Sequence, residues 1–219
     1  MFQNKLLLWQ VVFITSLLTS NVIAGKVVLL FGYLTVPAAV LAYALTFLAT
    51  DVINELYGKE TANEIVRIGF LAQLLAAGLI YLATLMPVAP FMPEMQDAFL
   101  AVLGQNWRFV LASLTAYAVS QTHDVYAFHY WRRLTKSKHK WIRNNMSTLV
   151  SQILDTAIFI TIAFWGQVPN LGEMIISQYV VKAVLALIDT PFFYLFTIGS
   201  AKRVSPLEEP RSDGMLPSE

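Results

Sequence analysis

Cut at its charged residues, the sequence falls into six mostly apolar stretches of about 20 residues each, the length an α-helix needs to cross about 30 Å of hydrocarbon. The stretches are 6–25, 33–51, 68–87, 109–131, 144–165 and 174–199. A soluble chain carries roughly 25% charged residues to cover its surface. Here 13% are charged, 57% are hydrophobic and mean hydropathy is +0.58, so apolar side chains must face something other than water. The expectation is an all-α membrane protein of six transmembrane helices forming one domain over 1–200, with a disordered cytoplasmic tail over 201–219. The first stretch exceeds the 7–15 apolar residues of a secretory signal and lacks a small-residue cleavage site, so it reads as a span.

Orientation follows from the basic residues. Arg132, Arg133, Lys136, Lys138, Lys140 and Arg143 crowd the link between the fourth and fifth spans, which assigns that link to the cytoplasm. Alternate threading then puts twelve Lys and Arg inside against Lys26 and Arg108 outside, with both termini cytoplasmic. The loop 88–107 has Glu94 and Asp97 but no Lys or Arg, as an external loop should. With a net charge of +1 there is no basic surface for nucleic acid, and with no cysteine there is no disulfide, thiol nucleophile or thiolate metal site.

An internal echo joins spans four and five. Ser120-Gln121-Thr122-His123-Asp124 and Ser151-Gln152-Ile153-Leu154-Asp155 repeat an S-Q-x-x-D pattern in helices expected to run in opposite directions, which admits inverted-repeat character. Charged side chains inside a span cost roughly 2.5–3.5 kcal/mol each on insertion scales, so they persist where they face a cavity or a partner. Asp124, Asp155, Lys182 and Asp189 are four such residues, and Asp51 closes the second span. Gln121 and Asp124, like Gln152 and Asp155, lie three apart and share a helical face, as do Lys182 and Asp189 two turns apart. Pro191 cannot donate to the carbonyl of Leu187, beside Asp189. A purely structural ion-pair network is the alternative, but three acids against one lysine leave a surplus of buried negative charge that favours a ligand-binding role. Asp155 and Asp189 are the acids expected opposite Lys182.

Other features point to structure. His123 reads as a hydrogen-bonded helix residue rather than a proton relay, and Phe192, Phe193, Tyr194 and Phe196 as packing or interfacial anchors. No H-E-x-x-H, G-x-S-x-G, P-loop or G-x-G-x-x-G pattern occurs, so no catalytic, metal or cofactor site is expected and the chain does not read as an enzyme.

The segment Asp51-Val52-Ile53-Asn54-Glu55-Leu56-Tyr57-Gly58 carries a resemblance. With Ser20-Asn21, the two S-Q-x-x-D elements and Lys182 through Asp189-Thr190-Pro191, it is similar to the VUT family of queuosine precursor transporters, over about 17–199. The resemblance implies a six-helix protein of the bacterial inner membrane that imports 7-deazaguanines such as 7-cyano-7-deazaguanine for salvage into tRNA queuosine. Its partners would be that small molecule and membrane lipid, with a homo-oligomer left open. A deazaguanine presents a ring N–H beside an exocyclic amino group, which suits bidentate acceptance by a carboxylate, while glutamine both donates and accepts. The expected cargo path is therefore Gln121, Asp124, Gln152, Asp155, Lys182 and Asp189, with Asp51, Asn54 and Glu55 at the cytoplasmic mouth. The runner-up is a substrate-capture subunit of an energy-coupling-factor vitamin transporter, which needs an ATPase partner. A cargo-free scaffold is a further alternative, and an intramembrane aspartyl protease lacks its G-x-G-D pattern.

Overall fold

A computed structural model describes residues 2–134 and 140–197, with the side chains of 2–4, 124, 125, 127–134, 140–149 and 190 outside that description. The tail 201–219 and part of the basic link 132–143 therefore lie outside it. Among the described residues the chain forms seven α-helices and one hairpin, in the order α1 (Phe2–Ile23), β1 (Val27–Leu30), β2 (Leu34–Pro37), α2 (Val40–Tyr57), α3 (Lys59–Leu85), α4 (Pro93–Leu103), α5 (Asn106–Leu134), α6 (Lys140–Phe164) and α7 (Leu171–Thr197).

Four of these are long and apolar enough to cross a membrane: Lys5–Ile23 of α1, Val40–Tyr57, Lys59–Leu85 and Leu171–Thr197, with Val150–Phe164 of α6 a shorter apolar run. The outward faces agree with lipid. Helix α3 turns Leu71, Leu75, Leu79 and Leu82 outward along one stripe, the reverse of a soluble amphipathic helix. Where helices meet, the residues are small or aromatic. Ala24, Ala39, Ala112, Ala116 and Ala163 bury against Phe109, Phe159, Phe164 and Met174, close backbone approach being the main source of helix adhesion in lipid.

Two local departures from the expected spans have physical causes. The second span does not start near Tyr33: a hairpin occupies 27–37 and the helix begins at Val40. Val27, Val28, Thr35 and Val36 are β-branched. Phe31 and Gly32 both take positive φ, 55° and 81°, in a turn closed by the Tyr33 N–H on the Leu30 carbonyl at 3.2 Å. Within 88–107, where no helix was expected, Pro93 at the first turn starts α4, whose 11 residues are too few to span.

The conspicuous motif has a structural half. Helices α2 and α3 are separated by Gly58 alone, whose φ of 89° and ψ of 162° fall in a region essentially reserved for glycine. The corner sends α3 back toward the hairpin end of the molecule. At that end Arg108 of α5 donates from Nε to the Ile162 carbonyl at 2.7 Å and from a terminal nitrogen to the Trp165 carbonyl at 2.8 Å. These are orphan carbonyls of the α6 C-terminus, where a cation also complements the helix dipole. The clasp fixes α5 and α6 as an antiparallel pair, which carries both S-Q-x-x-D elements on facing helices.

Candidate functional site

Helix α2 contributes one face to the interior. Tyr43, Thr46, Phe47, Thr50, Asp51 and Asn54 recur at three- and four-residue steps, and all six line a cavity of about 580 Å³. Helix α5 closes the opposite side with Tyr117 and Gln121, α6 adds Gln152, Asp155 and Phe159, and α7 adds Gln178 and Lys182.

The electrostatic centre of this cavity is an ion pair between α6 and α7. Lys182 Nζ donates to Asp155 Oδ2 at 2.9 Å and to the Thr156 hydroxyl at 3.1 Å. Of the two acids expected opposite Lys182, the structure sets Asp155 against it. An ammonium so placed is neutralised and partly satisfied, which is how a charge is tolerated at membrane depth. Because the lysine holds Oδ2, the pair presents to the cavity a carboxylate anchored on one side rather than a free anion. Tyr43 lies within electrostatic reach of Asp155, with Ser113 and Ser20 near its hydroxyl.

Asp189 does not join that pair. It lines a second cavity of about 680 Å³ between α2 and α7, together with Glu55. Asp51, Asn54, Gln152 and Lys182 line both cavities, so the two spaces adjoin across α2 and α7. Eight of the nine residues named from the sequence thus line one or both. The ninth, Asp124, has a side chain outside the described residues. Its neighbour His123 places Nδ1 3.1 Å from the Ser151 hydroxyl, linking the two S-Q-x-x-D elements across the α5–α6 interface.

Several lining residues escaped the sequence reading. Gln178 is fully buried, and among the described residues no hydrogen-bond donor reaches its Oε1. Its signal was present: Ser177-Gln178 is a third Ser-Gln step, one helical turn before Lys182. Tyr43 and Phe159 meet edge to face at 6.1 Å, and Phe70 and Tyr117 at 4.6 Å, giving the cavity aromatic walls on α2, α3, α5 and α6. Phe192, Tyr194 and Phe196 are largely exposed on α7, and Phe196 packs edge-on against Trp9 at 5.0 Å. The arrangement offers a planar polar molecule a paired carboxylate, five amide side chains and ring faces. The volume lies within the usual range of small-molecule sites, roughly 300–1,000 Å³.

A family model described as a putative vitamin uptake transporter matches residues 37–196. A protein of Bacillus subtilis (strain 168) named probable queuosine precursor transporter is 36% identical over 193 residues, covering 87% of this chain and 81% of that protein. A protein of Escherichia coli (strain K12) named queuosine precursor transporter is 28% identical over 198 residues, covering 89% of this chain and 82% of that protein. No solved structure matches.

Proposed function

The chain belongs to the putative vitamin uptake transporter family, and from that premise we propose that it imports queuosine precursors, 7-deazaguanines such as 7-cyano-7-deazaguanine, for salvage into tRNA. It is a transporter, not an enzyme. The names of the two relatives supply the cargo class. The observation that carries the reading to particular residues is the gathering of Asp155, Lys182, Gln121, Gln152 and Gln178 around one cavity with aromatic walls.

In this reading Asp155, anchored on Lys182, accepts the ring N–H and exocyclic amino group of the cargo, interactions worth about 1.5–3 kcal/mol for a hydrogen bond to a charged partner. Gln178 Oε1, buried without a donor among the described residues, accepts a further N–H, and Gln121 or Gln152 meets the ring carbonyl. Tyr43 and Phe159 bear on the heterocycle. Asp51 and Asn54, which line both cavities, form the cytoplasmic mouth with Glu55, and Asp189 lies on the exit side. Asp124 belongs to the same polar path. Six spans, α1, α2, α3, α5, α6 and α7, cross the inner membrane with both termini cytoplasmic.

The deciding experiment uses cells unable to make the precursor. They should recover queuosine in tRNA from low external 7-cyano-7-deazaguanine only when this protein is present. Recovery without it, or none with it at normal abundance, removes the cargo assignment. A reporter fused near Ser137 tests the orientation: an external signal inverts the assignment of the two faces.

A further inference from the structure

We propose that a small pocket between α1, α3 and α5, separate from the two large cavities, is a sodium site formed by the side-chain carbonyl oxygens of Asn21, Gln73 and Asn106. The proposal rests on the transport reading and names the ion coupled to it.

Asn21, Gln73 and Asn106 are 2%, 1% and 3% exposed, yet among the described residues no donor reaches Asn21 Oδ1, Gln73 Oε1 or Asn106 Oδ1. All three line a cavity of about 220 Å³. The only other buried side-chain acceptor so placed among the described residues is Gln178 Oε1 in the cargo cavity. Orphan acceptors are costly at membrane depth, and three of them around one small space call for something positive or protic between them.

Two of the three amide orientations, those of Asn21 and Gln73, follow from the bonding. Asn21 Nδ2 donates to the Leu17 carbonyl at 3.3 Å, and Gln73 Nε2 donates to the same carbonyl at 3.5 Å. Flipping either amide would set oxygen against oxygen there, so the nitrogen ends are held and the oxygen ends are left for the cavity. The ligand set is neutral. Apart from Thr19 the remaining walls are apolar, and no Asp, Glu, His, Lys or Arg lines the pocket. A proton has no titratable group to occupy there, and a divalent ion would lack the carboxylates it ordinarily takes. Carbonyl dipoles that replace a hydration shell suit a monovalent alkali cation. The pocket has room for one ion with a few of its waters, and Thr19 borders it.

The site is wired to the cargo cavity through Leu17. Its carbonyl receives both amide nitrogens and the Ser20 hydroxyl, the last at 2.7 Å, while Leu17 lines the large cavity. Phe70, one turn before Gln73 on α3, lines that cavity too. An ion that draws Asn21, Gln73 and Asn106 together therefore fixes the spacing of α1, α3 and α5, three walls of the cargo site. Coupling then amounts to each ligand favouring the helix spacing the other needs.

The test measures the melting temperature of the full-length protein in NaCl, KCl and choline chloride at equal ionic strength, with precursor uptake into proteoliposomes in the same salts. Sodium alone should raise the melting temperature with a saturable midpoint. Asn106→Ala and Gln73→Leu should each shift that midpoint at least tenfold upward, and a sodium gradient should speed uptake by the parent but not by Asn106→Ala. An identical response to the three salts, meaning a pocket of bound water only, overturns the proposal, as does a parental midpoint in whichever variant folds. The two readings separate cleanly. Uptake indifferent to sodium overturns the ion and leaves the cargo, whereas a sodium-specific thermal shift with no uptake in any salt supports the ion and overturns the cargo.

Discussion

The large cavity, walled by α1, α2, α3, α5, α6 and α7, is furnished with formal charges, while the small one between α1, α3 and α5 is furnished only with neutral polar groups, three amides and Thr19. Both are interior polar spaces in a chain whose outer face is leucine and phenylalanine. They meet the cost of burial in different ways. In the large cavity Lys182 is held by Asp155 and Thr156, so charge is cancelled within the protein. In the small one nothing within the described residues cancels the oxygen dipoles, and satisfaction must come from outside the chain. A cancelled pair stabilises by staying intact, whereas uncancelled dipoles gain stability when a ligand arrives.

The strongest way to break this contrast is to remove the lysine. Lys182→Met leaves the partly buried Asp155 uncompensated, and unpairing a charge costs about 3–5 kcal/mol when it is fully buried and less here, so protein abundance and uptake should both fall severalfold. The double variant Lys182→Met with Asp155→Asn should restore abundance but not uptake. If the single variant accumulates normally in membranes, the large cavity does not rely on internal cancellation.

Next in size is a change at the corner between the two regions. Gly58→Ala forces a side chain into a backbone conformation close to glycine-only, at a cost of about 1–3 kcal/mol, and should lower the melting temperature without altering uptake per folded molecule. Gly69→Ala acts at the α1–α3 contact, where Phe13 and Leu17 border the large cavity and Gln73 lines the small one. Its new methyl would lie 2.7 Å from Phe13 Cε1 and 2.9 Å from Leu17 Cδ2, so α3 must back away from α1 at roughly 1–3 kcal/mol, and Gln73 should lose the Leu17 carbonyl. The expected signature is destabilisation that sodium no longer relieves, measured by the same thermal shift.

The smallest effect is the most discriminating. Gln178→Leu deletes an orphan acceptor, so stability should hold or rise by about 1 kcal/mol while uptake falls several-fold. A loss of stability instead would mean that the oxygen is satisfied in the resting protein.

This series also marks what the sequence could and could not announce. Charges in apolar runs are conspicuous because the bilayer penalises them, so Asp51, Asp155, Lys182 and Asp189 could be singled out, and the face shared by Gln152 and Asp155 followed from helix geometry. Which acid Lys182 meets required the packing of α6 on α7. Asn21, Gln73 and Asn106 lie on three separate helices, carry no charge and share no spacing, so only their convergence marks them as a set. Tyr43 was hidden for a related reason, since an aromatic in a span is ordinarily packing. The hairpin was masked because Val27 to Pro37 is as apolar as a helix, and its strand pairing depends on two positive φ angles that composition does not report.

The hairpin also has a bearing on synthesis. Val36 and Val40 are buried against Val181, with Val28, Leu30, Leu34 and Leu185 packed around them. The ribosome completes the hairpin long before it reaches α7, and at roughly 5–20 residues per second the strands wait several seconds or more for the helix that covers them. During that interval β1 and β2 have an apolar face and no final partner. A nascent chain halted before α7 is thus marked as incomplete near its first residues, where the hairpin stays uncovered, and the last of the described helices is the one that closes the beginning of the fold.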